Sequence, residues 1–180
     1  MTTGALPKTV EVRTLAARQV TVSGALSADR LSRLSAVIVS ASAPFDVIAD
    51  CFRDEEGRYI VKLKVAGTVE MACQRCLTPV AVEVDAHSSL AAVWTDEQAA
   101  KLPARYEPLI TDGELDLWQL VEEELLLVLP SFNYHSDEQC GAKVGFAIAA
   151  AEEIVASVGE SERRGNSNPF DVLATLKGDG

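Results

Sequence analysis

The sequence predicts an α+β fold: an antiparallel meander sheet, with a partly closed barrel as its variant, one main packed helix and a peripheral C-terminal helix. Three observations predict it. Apolar and polar residues alternate with period two between 45 and 86, the mark of half-buried strands. An apolar stripe at helical spacing follows over 114–129. A short apolar segment opened by Asn168 and Pro169 closes the chain at 168–177. With 180 residues, 48% of them hydrophobic, the chain can bury one sizeable core. The predicted division is a single domain over 1–140, a weakly helical linker of low complexity over 141–167, and a docking helix over 168–177.

Residues 10–13 and 20–23 alternate briefly and read as edge strands. Ser27 is a candidate N-cap, with Asp29 in the first turn and Leu31 and Leu34 on one face of a short helix. Phe45, Val47, Ala49 and Cys51 then alternate with Asp46, Ile48 and Asp50. A turn over 54–57 leads to the longest alternation, in which Val61, Leu63, Val65, Gly67, Val69, Met71 and Cys73 share one parity. Lys62, Lys64, Thr68 and Glu70 take the other. Gly67 in the middle suggests a bulge or bend. Val80, Val82 and Val84 form the third run, and the three together make the meander. For the helix at 114–129, Asp112 is available as the cap, and Glu114 and Asp116 suit the positive end of the helix dipole. Leu117, Val121, Leu125 and Val128 follow helical spacing, Glu122 and Glu123 face water, and Pro130 stops it. Composition then turns to Ala, Glu, Ser, Gly and Asn, with weak helix at 147–158 and a flexible stretch at 161–167.

Charge is unevenly distributed. The formal net charge is −11, yet residues 1–75 carry ten Lys or Arg against eight Asp or Glu. Residues 106–142 carry nine carboxylates (Glu107, Asp112, Glu114, Asp116, Glu122, Glu123, Glu124, Asp137 and Glu138) and no Lys or Arg. Nucleic acid is gripped mainly by cations that displace counterions, so this segment repels it and suits a basic protein instead. Direct RNA contact would fall to the other half, where Lys62 and Lys64 share the wet strand face and Arg75 lies further along. The blander reading of those cations is solubility. No apolar run reaches the roughly 18 residues of a membrane span, and the N-terminus lacks a secretory pattern. The expected compartment is the cytoplasm, with no membrane partner.

The sharpest motif is Cys73-Gln74-Arg75-Cys76. Two thiolates on one tight turn are half of a tetrahedral zinc site. Cys140 and His135 are the candidates for the other half, and a Cys3His site would tie the end of the acidic helix to the sheet. An unmetallated cysteine turn and a redox-labile pair are the alternatives. A thioredoxin-like role does not suit a motif flanked by strands, because there the motif opens a helix. Glu122, Glu123 and Glu124 point about 100° apart on a helix and do not converge. Neither a nucleophile elbow nor a phosphate-binding glycine loop is present, so no catalytic residue is assigned.

The order of several motifs resembles the YceD family from about residue 5 to 177. They are Cys73-Gln74-Arg75-Cys76, Leu102-Pro103, Tyr106-Glu107-Pro108, Gly113-Glu114-Leu115-Asp116-Leu117, Val121-Glu122-Glu123-Glu124-Leu125, Leu129-Pro130, His135-Ser136-Asp137-Glu138-Gln139-Cys140 and Asn168-Pro169-Phe170. The resemblance implies a non-catalytic role in synthesis, processing or stability of 23S ribosomal RNA, and so in large-subunit biogenesis. The carboxylate-only segment makes a basic ribosomal or assembly protein the expected partner, with 23S RNA itself as the alternative. Some relatives carry further cysteines after the acidic helix, where this chain has only Cys140.

Overall fold

The computed structural model describes residues 4–136 and Cys140. The chain divides into two units, Met1–Cys140 and Gly141–Gly180. The linker over 141–167, the helix over 168–177 and the two carboxylates Asp137 and Glu138 lie outside the described residues.

The first strand, β1 (Thr9–Glu11), is shorter than its alternation suggested. Helix α1 (Val12–Ala17) takes over because Glu11 caps it, accepting from the backbone N–H of Arg13 at 3.1 Å and of Thr14 at 2.7 Å. Two such donors would otherwise be orphaned at a helix start. Strand β2 (Thr21–Leu26) leads to a 3-10 turn (Ala28–Arg30) and to the short α2 (Ser32–Ser35). Ser27 does precede the turn, but its side chain caps nothing. Then come β3 (Ser40–Ala41), β4 (Phe45–Arg53), β5 (Tyr59–Ala72), β6 (Pro79–Val93), α3 (Asp96–Ala99), β7 (Glu107–Ile110), β8 (Glu114–Asp116) and α4 (Leu117–Val128).

The main sheet runs β2-β4-β5-β6-β7, with β3 also on β5. Its ladders are antiparallel except β6–β7, and no pairing joins β2 to β7, so the sheet is open. The alternation that defined the strands also defines the core. Phe45, Val47, Leu63, Val65, Val69, Val84 and Leu90 face inward, and Leu117, Leu120, Val121 and Leu125 of α4 pack in the same cluster.

Two expectations are corrected. Gly67 makes no bulge, because the β5–β6 register runs unbroken from Tyr59↔Ala92 to Ala72↔Pro79. It is glycine because a Cβ there would sit 2.5 Å from Cδ1 of the buried Phe45 ring. The main helix starts at Leu117 rather than 114. Asp116, not Asp112, caps it by accepting from Gln119 N at 3.0 Å. Residues 114–116 form β8, paired with β1 through Thr9↔Asp116, Val10↔Leu115 and Glu11↔Glu114. Among the described residues no helix is long and apolar enough to cross a membrane.

Candidate functional site

Cys73 follows the end of β5, and the chain reverses before Pro79 opens β6. Cys73 N–H donates to Thr78 O at 2.9 Å and Leu77 N–H to Cys73 O at 2.8 Å. Leu77 takes a positive φ of 59° to close the turn. The loop after α4 is tied to this turn by polar contacts. Gln74 donates from its backbone to Asn133 O (3.1 Å) and from its side chain to Ser131 O (3.0 Å). Buried Asn133 donates back to Ala72 O at 2.8 Å. These bonds place His135 against Cys76, and Cys140 N–H, bonded to Ser136 O at 3.0 Å, completes the corner.

The donor atoms of Cys73, Cys76, His135 and Cys140 all lie within 4.8 Å of one another. Zinc–sulfur bonds of about 2.3 Å at a tetrahedral centre put sulfurs about 3.8 Å apart, and a nitrogen about 3.6 Å from each sulfur. The separations are 3.5 Å for Cys73–Cys140 and 3.9 Å for Cys76–Cys140. Cys76 Sγ lies 3.3 Å from His135 Nδ1. His135 Nε2 lies 2.9 Å from Pro79 O. Donation to that carbonyl leaves a lone pair on Nδ1, directed at the sulfurs, the usual way a backbone group orients a metal-binding imidazole. The residues fit a metal ion.

Electrostatics favour thiolate at one member of the set. Burial pushes the Cys73 thiol up, but the backbone N–H groups of Cys76 and Arg75 and the neighbouring His135 outweigh it and bring it to about 5. Thr78 lowers Cys76. Burial raises Cys140, and the neighbouring sulfurs of Cys73 and Cys76 add to the rise. His135 is raised, chiefly by Cys73. Cys51 is a different case: buried in the core, it is pushed up to about 11 by burial, helped by Asp50.

The acidic run does not share one face. Glu107, Asp112 and Glu114 are exposed, and Asp116 and Glu123 are half-buried. Glu122 does not face water as expected. It turns inward, where its carboxylate accepts from the N–H of Arg33 at 2.7 Å and of Leu34 at 3.1 Å, holding the start of α2. Glu124 is also buried, and its carboxyl is held above the usual value by burial and then by the charge of Glu107.

Lys62 and Lys64 both face solvent, as the alternation indicated. Their cross-strand neighbours are Asp50 and Ser89 for Lys62, and Ile48 and His87 for Lys64. His87 itself pairs with Asp85 at 3.0 Å. Arg75 belongs to the cysteine turn, its guanidinium over the Tyr134 ring at 5.4 Å. Lys64 lies eight strand positions, roughly 27 Å at the usual rise, from Ala72 at the edge of that turn. The three cations do not form one patch.

Sequence reasoning missed Asn133 and Gln74 as supports of the cysteine corner, and Glu122 as the cap of α2. A single Asn or Gln carries no spacing signal, since its partners are backbone carbonyls far along the chain. Exposed apolar side chains also gather in the corner's own segments, with Leu77 in the turn and Phe132 and Tyr134 in the loop.

Fold and site together define a small α+β domain whose sheet end and post-helix loop are gathered by a Cys3His cluster able to hold a metal ion. The model of the YceD family, described as large ribosomal RNA subunit accumulation protein YceD, matches residues 61–177. The chain is also 34% identical over 174 residues to the large ribosomal RNA subunit accumulation protein YceD of Haemophilus influenzae, covering 96% of each. It belongs to the YceD family. No solved structure matches it.

Proposed function

We propose that this protein supports accumulation of the 23S ribosomal RNA of the large subunit without catalysis, by holding a basic ribosomal or assembly protein on its acidic surface. The family description and the relative's name support the role. The observation that carries the mechanism is the one-sided charge of 106–142, where nine carboxylates stand without a single Lys or Arg. Of these, Glu107, Asp112 and Glu114 are exposed, and Asp116 and Glu123 partly so. Such a field draws in cationic partners and suppresses wrong ones. On this reading the place of work is the cytoplasm, where the ribosome is assembled.

Zinc is the metal that best suits three thiolates and an imidazole. Cys73, Cys76, Cys140 and His135 would hold it, and when bound it supplies a closed structural cross-link. The protein's own groups do the rest: Gln74 and Asn133 align the loop, and Pro79 O orients the imidazole.

The test is capture of large-subunit ribosomal proteins on the immobilised chain. Replacing Glu107, Asp112, Glu114 and Glu123 by their amides is expected to cut recovery of the basic proteins by roughly tenfold. Unchanged recovery would overturn the reading. Direct RNA contact through Lys62 and Lys64 is the second reading, favoured by their shared exposure. It predicts retention of 23S RNA on a filter at low salt, falling steeply as salt rises.

A further inference from the structure

We propose that the groove between β7 and β8 takes up an extended basic segment of a partner protein as an added strand. This rests on the acidic-surface reading and narrows it to one place.

Strands β7 and β8 follow one another in the chain but do not pair. Among the described residues β7 is bonded only to β6 and β8 only to β1. The connection at 111–113 is tight. Thr111 Oγ1 donates to Glu114 O at 2.8 Å and accepts from Gly113 N at 3.2 Å, and Gly113 has a φ of +123° that favours glycine. A turn this short would ordinarily close a paired hairpin. Here the strands splay into two sheets and line a cavity of about 430 Å³.

The lining matches one class of occupant. Ile110, 55% exposed, supplies the apolar contact, while Leu109 on the opposite strand face packs against the core. The charged lining groups are Asp112, Glu114, Asp116 and Glu123, with no Lys or Arg. Asp112 and Glu114 have no ion pair among the described residues. Asp116 and Glu123 hold Lys8 at 3.9 Å and Arg33 at 3.5 Å, long exposed contacts that another cation can displace. An extended segment alternating Lys or Arg with an apolar residue fits all of this. Its backbone adds to the free edge of β8, since Pro108 lacks an N–H on β7, its apolar side chains meet Ile110, and its cations reach the carboxylates. Nucleic acid is disfavoured by the same charge.

The experiment uses the full chain labelled with 15N and a short peptide alternating Lys and Val. Controls are the peptide N-methylated at alternate residues, in both registers, and the peptide with Glu for Lys. We expect amide shifts concentrated in 107–116, no binding of the Glu peptide, and roughly fivefold weaker binding on N-methylation. The exposed substitutions Asp112→Asn and Glu114→Gln together should weaken binding by roughly fivefold while leaving the spectrum folded. Shifts elsewhere, with 107–116 unmoved, would remove the groove and leave the acidic-surface reading intact. Equal affinity for the N-methylated peptides would show charge without strand addition and overturn the proposal. Failure of any cationic peptide to bind would remove the groove and the broader reading together.

Discussion

Successive helix positions point about 100° apart, so Glu122, Glu123 and Glu124 meet three different surroundings. Glu122 is a structural acceptor for the Arg33 and Leu34 amides. Glu122→Ala strands those donors, Leu34 N–H in a fully buried residue, and should cost about 1–3 kcal/mol in urea unfolding. Glu122→Gln keeps a carbonyl acceptor and should cost less; equal losses would show that packing, not the hydrogen bonds, is at stake. Glu124 behaves in the opposite sense. Burial first, and Glu107 second, hold its folded-state carboxyl above the ordinary 4.5. A raised folded value means that the folded chain keeps this proton to higher pH than the unfolded chain does. Its contribution to stability is therefore full below 4.5 and is lost as pH rises through the folded value. Glu124→Gln should be more stable than wild type at neutral pH and indistinguishable from it in acid. A difference constant across the pH series would rule this out.

The strands were legible because period-two alternation is a direct imprint of a sheet with one dry face. The alternation at 45–51, 61–73 and 80–84 falls on β4, on β5 with the first turn residue, and on β6. What could not be read depended on contacts distant in sequence. Glu114-Leu115-Asp116 has helix-start chemistry, and only its pairing with Thr9–Glu11 makes it a strand. The exception is Glu11, whose local cap turns an alternating stretch into a helix, a signal the alternation masked. The membership of the Cys3His cluster was legible in the sequence, since Cys and His are few, but its closure was not. That depends on the Gln74–Ser131 and Asn133–Ala72 bonds. If the corner holds zinc as proposed, these bonds predict how it responds when the metal is removed. A chelator should lower the melting temperature and speed amide exchange at Cys73, Gln74 and Leu77, while Val47 and Leu63 in the sheet centre keep their protection. Cys76→Ser should abolish stoichiometric zinc and copy the chelator. Full retention of zinc by that variant, or no response to the chelator, would refute a structural metal at this corner.

Within the described unit charge follows the elements along the chain, although Lys8 and Arg33 from earlier segments reach Asp116 and Glu123. The antiparallel meander β4-β5-β6 carries the mixed face of Lys62, Lys64, Asp50 and Asp85, whereas β7, β8 and α4 carry carboxylates and no cations. On the proposed acidic-surface reading, the carboxylates without a cation add a local field to the net charge of −11. The field acts before contact, so it governs the encounter rate more than the lifetime of the complex. It is screened over about 10 Å at 0.1 M salt and about 3 Å at 1 M. Stopped-flow association with a basic large-subunit protein should therefore slow by at least about tenfold across that salt range, with a much smaller change in dissociation. Amides at Glu107, Asp112, Glu114 and Glu123 should flatten the salt dependence, whereas Lys62→Ala and Lys64→Ala should leave it unchanged or slightly steeper. The lysine pair tests the idea most sharply when 23S RNA replaces the protein, because RNA binding through the sheet face would reverse the pattern: the lysine variants would lose the salt-sensitive step and the amide variants would gain affinity.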